Sequence, residues 1–176
     1  MWLKNWRYKL FCFGIPFLFL SWGFSAHKDL HAVAISGLPF EVWSFFKKHE
    51  SQLIEYSVLA DKRKHTDSTE SLNHYLDLDQ DSINHNGRLL DAISEKYNLL
   101  SYLFYNYNPD SSDCDYIIKV AADLGHYIGD AHVPLHTTKN YNGQFTGQTG
   151  IHALWETHVY ELTRESRIPQ KLNPYI

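Results

Sequence analysis

Two histidine–carboxylate pairs, each with members four residues apart, constrain this 176-residue chain more than any other feature. The first is His126 and Asp130, in the run Leu124-Gly-His126-Tyr-Ile-Gly-Asp130-Ala-His132-Val-Pro134-Leu-His136; the second is His152 and Glu156. Four residues is slightly more than one helical turn, so each pair shares a face and can converge on one cation. Pro134 should end the first helix and turn the chain, bringing His136 towards a neighbouring ion. Imidazole with carboxylate is a ligand set suited to zinc, with room left for a bound water. One such pair on a helix is ordinarily a solvated side-chain pair. Two pairs, joined by His27, Asp61 and His74 in other segments, point to a shared centre.

The rest of the chain supplies a helical frame for these residues. Strand alternation is absent and helical periodicity dominates, so an all-α, multi-helix domain is expected. Pro39 suits a first helical turn and is followed by apolar Phe40, Trp43, Phe46, Leu53 and Ile54. A second helix is predicted over about 87–106, with Leu89, Leu90, Ile93, Tyr97, Leu100 and Leu103 as its apolar stripe. Ser111, Ser112 and Asp113 offer caps for a third, through about residue 131, with Ile117, Val120, Ala121, Leu124 and Ile128 on its apolar side. A last helix is predicted over about 150–164. Two polar connections, around 57–86 and 137–149, lie between these helices.

The first 21 residues read as a signal peptide. Lys4, Arg7 and Lys9 precede the apolar run from Leu10 to Leu20, which is short for a membrane span of about twenty residues. One domain then occupies residues 22–176, secreted or periplasmic and without a transmembrane span. A cut before Trp22 places Phe19 three residues upstream, where small residues are preferred; a cut after Ser25 places Gly23 there. The leader holds three of the sixteen basic residues and none of the twenty acidic ones or the eleven histidines. An acidic, histidine-rich remainder does not fit an electrostatic nucleic-acid binder, so positive charge for a phosphate ligand has to come from bound metal. With Cys12 in the leader, Cys114 stands alone, and metal binding falls to nitrogen and oxygen ligands.

Taken together, Trp22, His27, Asp61, His74, His126, Asp130, His136, His152 and Glu156 resemble, in order and spacing, the superfamily of zinc-dependent phospholipases C and single-strand-specific nucleases. The match spans the chain from Trp22 to about Glu161. The resemblance implies a cluster of about three zinc ions. Trp22, through its free amino group and carbonyl, would hold one zinc with His27. Asp61, His74, His126 and Asp130 would hold a second, with Asp130 bridging the two, and His136, His152 and Glu156 a third. The implied activity is phosphodiester hydrolysis, the cluster lowering the pKa of a water and stabilising phosphoryl charge. Asp61 doubles as the group orienting that water. Lys64 and Asp77 match residues that the nuclease branch places beside the scissile phosphate, and Tyr75 is placed to stack on a base or lipid group.

The substrate stays open between a phospholipid and a single-stranded nucleic acid. Glu156 as the last ligand is similar to the phospholipase branch, whereas the five-residue step from Trp22 to His27 is similar to the nuclease branch. Family members continue past the last ligand helix, so the resemblance implies a domain incomplete at its C-terminus. No stable protein partner is implied. The competing readings are a non-catalytic zinc-binding protein and an inactive truncated homologue.

Overall fold

The computed structural model describes residues 23–79, 86–108 and 113–167. Trp22, the leader and the caps Ser111 and Ser112 lie outside them. The described residues are all-α: α1 (Phe24–Ser36), α2 (Phe40–Lys48), α3 (Glu50–Tyr56), α4 (Leu59–Arg63), α5 (Leu89–Tyr105), α6 (Cys114–Ala131), α7 (Ile151–Ala153) and α8 (Tyr160–Arg167). Short 3-10 turns cover Glu70–His74 and Pro134–His136, and a wide π turn over Leu154–Val159 joins α7 to α8. Extended pairing among them is limited to one bridge between Leu76 and Gly87. No described helix is long and apolar enough to cross a membrane.

α6 is the spine. On one side Ile118 and Ala122 pack with Ile35, Phe46 and Leu53 from α1, α2 and α3. On the other, Tyr127 packs with Ala60 of α4 and with Leu89 and Ala92 of α5. Burial of this kind stabilises by roughly 25 cal/mol per Å² of apolar surface, so these contacts fix α6 on both flanks. The face between them carries His126 and Asp130, which are 0% and 2% exposed.

Several expectations change. The segment from Phe40 to Ile54 breaks at His49 into two helices. Leu90, Tyr97 and Ile128 are exposed and do not belong to the apolar stripes assigned to them; on α5 the expected Leu89 is buried, together with Ala92. The polar connection after Ser57 contains α4 and the turn Glu70–His74. α1 carries no clean apolar period, because its two buried positions are His31 and Ile35.

α1 reaches α6 closely enough to deliver His27 because α6 presents glycines there. A Cβ at Gly125 would meet His31 Nε2 at 2.5 Å, and one at Gly129 would meet Leu30 at 2.9 Å. His31 cannot swing away, since its two ring nitrogens lie 2.7 and 3.1 Å from the carbonyls of His27 and Ala122. Gly125→Ala is therefore expected to cost about 1–3 kcal/mol by forcing the two helices apart. Urea denaturation measures this, and unchanged stability would show that the packing tolerates the methyl group.

Candidate metal centre

Seven elements deliver the candidate ligands to one place. α6 ends on Asp130 and Ala131; Pro134 then opens a 3-10 turn whose bond from His136 N to Val133 O turns the chain back. α1 supplies His27, α4 supplies Asp61, the Glu70–His74 turn supplies His74, and α7 with the π turn supplies His152 and Glu156. Backbone bonds from Leu76 N to His136 O and from Leu78 N to Thr137 O tie the strand-like stretch after the Glu70–His74 turn to the Pro134–His136 turn. α8 holds the last in place, with Arg164 bidentate on Asp29 of α1 at 2.5 and 2.8 Å.

Asp130 stands at the centre with its two oxygens facing different partners. Oδ2 lies 2.9 Å from His74 Nδ1 and 3.4 Å from His126 Nε2. Oδ1 lies 3.3 Å from His27 Nε2 and 4.0 Å from His136 Nε2. Beyond it, His136 Nε2 and His152 Nε2 lie 2.7 and 3.0 Å from the two oxygens of Glu156. Three groups of side chains are thus close enough to hold a metal: His27, His126 and Asp130; Asp61, His74 and His126; and His136, His152 and Glu156.

The donor set fits a metal on two counts. First, ligands about 2.0 Å from a tetrahedral ion stand about 3.3 Å apart. The observed separations among Asp61 Oδ1, His74 Nδ1, His126 Nε2 and Asp130 Oδ2 include 2.9, 3.2, 3.4, 3.7 and 3.8 Å. His126 Nε2 therefore belongs with Asp61 and His74. His27 keeps Asp130 Oδ1, while Trp22, its expected companion, is outside the described residues. Second, three of the outer ring nitrogens are spoken for. His126 Nδ1 donates to Ser57 O at 2.7 Å, His136 Nδ1 to His74 O at 2.5 Å and His152 Nδ1 to Tyr141 O at 3.1 Å. A carbonyl only accepts, so Nδ1 carries a proton, and in the neutral ring each inward Nε2 is a bare lone pair. Facing carboxylates, that lone pair requires a cation, and such outward anchoring is the usual habit of metal-bound histidine.

Without a metal, protons take that role. Burial opposes charging His136, but hydrogen bonding to Glu156 and the charges of Asp130 and Glu156 prevail, raising it to about 9. Burial likewise opposes ionising Glu156, yet bonds from His136 and His152 pull it down to about 2. His126 and His74 are raised against the opposing effect of burial, and Asp130, fully buried among these rings, is held well below the usual carboxylate range.

Two cavities open onto the cluster. One, of about 610 Å³, lies between the Glu70–His74 turn and the 137–149 loop, and holds Lys64, Tyr75 and Asp77 with Lys139, Tyr141 and Phe145. Lys64 also pairs with Asp61 Oδ1 at 2.6 Å, so it sits at the mouth of the cluster. The other, of about 540 Å³, is mainly apolar and runs between α1 and the π turn, reaching His27, Asp130 and Glu156. The loop is set by Asp79, which accepts from Thr138 Oγ1 and Lys139 N at 2.8 and 3.0 Å. His132 is turned to the Ile128 carbonyl and stays outside the ligand groups. Sequence reasoning missed Glu70, although Glu70 and His74 repeat the same four-residue histidine–acid spacing. No known family matches the chain, and comparison with curated proteins and with solved structures returned no match.

Proposed function

We propose that this chain is an exported zinc-dependent phosphodiester hydrolase, similar to the zinc-dependent phospholipases C and single-strand-specific nucleases, with a cluster of three zinc ions. The observation that supports this reading most is the two-sided carboxylate of Asp130, which lets adjacent cations share one ligand. Zinc fits a mixed imidazole and carboxylate set without sulfur, and when bound it would lower the pKa of a water and offset phosphoryl charge. Asp61, 5% exposed and paired with Lys64 at 2.6 Å, orients the attacking water. Lys64 and Lys139 bring positive charge to the diester in a chain whose net charge is −4. Tyr75, Tyr141 and Phe145 offer flat apolar faces to the group next to the phosphate. Export rests on the basic and apolar leader, and an intact mass that begins at Trp22 is the result expected for it.

The test compares the zinc-loaded protein with Asp61→Asn on two substrates: a phosphatidylcholine vesicle, read by head-group release, and single-stranded DNA. Turnover of one of them by the wild type, reduced on the order of 10²-fold or more in the variant at equal zinc content, supports the reading and chooses the substrate. Zinc bound at every position with neither substrate cleaved would point to a zinc-sequestering protein.

A further inference from the structure

We infer that Glu70 is the positioning residue of His74, fixing its ring and tautomer so that Nδ1 faces the metal; the inference rests on the zinc reading above. His74 is reversed relative to His126, His136 and His152. Its Nδ1 points inward, 3.2 Å from His126 Nε2 and 2.9 Å from Asp130. A ring nitrogen that meets a cation carries no proton, so the neutral ring of His74 keeps its proton on Nε2. That Nε2 is buried and has no hydrogen-bond partner. A buried N–H left without an acceptor costs about 1–3 kcal/mol. Glu70 Oε1 stands 3.6 Å from it, so a closure of about 0.6 Å completes a normal bond.

Glu70 is itself built into the fold. It is 8% exposed, and its Oε1 accepts from the Tyr127 hydroxyl and from Arg63 Nη2 at 3.2 Å. Arg63 also holds Asp123 at 2.9 Å, and Lys96 closes the chain on Asp123 at 2.8 Å. The carboxylate is thereby fixed from α4, α5 and α6 at once. Burial opposes its ionisation, but His74, Tyr127 and Arg63 around it lower its pKa to about 2. A carboxylate of this kind holds a histidine in one tautomer and raises the basicity of the inward nitrogen.

The experiment is chelator competition for zinc on the full chain, comparing wild type, Glu70→Ala and Glu70→Gln, with Tyr127→Phe as a control that keeps the carboxylate. Glu70→Ala is expected to weaken one zinc position about 10–100-fold and to leave the others unchanged, with Glu70→Gln recovering most of the loss. A long-range proton–nitrogen NMR spectrum of the zinc-loaded wild type should show the His74 proton on Nε2, with the nitrogen shift moved in Glu70→Gln. Wild-type zinc affinity in a folded Glu70→Ala, or a His74 proton on Nδ1, overturns the inference. Should Glu70→Ala fail to fold, the two spectra decide alone. A wild type that binds no zinc overturns the zinc reading itself, and that result needs no variant.

Discussion

Asp130→Asn is expected to leave the helical frame standing while the zinc content falls towards the His136, His152 and Glu156 position alone. The substitution keeps the shape of the side chain but removes its charge and leaves one carbonyl oxygen where two carboxylate oxygens face two sets of histidines. Its new amide can donate to a bare imidazole nitrogen, which satisfies the metal-free pocket and competes with the cation. Positions around His27 and His126 should weaken more than about 100-fold, since loss of an outer partner alone costs 10–100-fold. Hydrolysis should fall by on the order of 10³-fold, as the charge that stabilises the transition state goes with the metals. The variant is read by zinc per chain after dialysis against a chelator, with circular dichroism as the check on folding. Wild-type zinc content would mean that Asp130 does not bridge.

The candidate metal-binding groups are more legible in the sequence than the helices that carry them. His126 with Asp130, and His152 with Glu156, announce themselves by one-turn spacing, and Pro134 marks the turn that returns His136. α1 was not legible, because it packs through His31 and through close approach at Gly125 and Gly129 rather than through an apolar stripe. Leu90, Tyr97 and Ile128 have the right residue type at helical spacing yet face outwards. Spacing alone does not say how wide a buried face is. Glu70 is not legible for a related reason: its role depends on which way the His74 ring points, and ring direction is a tertiary property. The 137–149 loop shows the same limit, since Asp79, from a distant segment, sets its course.

Removing zinc should lower the melting temperature by about 10 °C or more near neutral pH, and the size of that shift should depend on pH in a definite direction. One site at a thousandfold excess of free zinc over its dissociation constant contributes about 4 kcal/mol, and in a chain of this size each 1 kcal/mol is worth about 2–4 °C. In the metal-free protein, His136 is raised from 6.5 to about 9, so its stabilising pairing with Glu156 is complete below pH 6.5 and lost as pH rises through 9. Glu156 is lowered from 4.5 to about 2, so its share is present above pH 4.5 and lost as pH falls through 2. His126 and His74, also raised, push in the same direction as His136. Metal-free stability from these groups should therefore decline between pH 6.5 and 9. Zinc binding runs the other way over that interval, because the metal no longer has to displace a proton from His136. Melting curves with zinc and with chelator, taken at steps from pH 6 to 9, should diverge as pH rises. Parallel curves, or a metal-free protein that gains stability towards pH 9, would mean that the inward nitrogens are not where the metal and the proton compete.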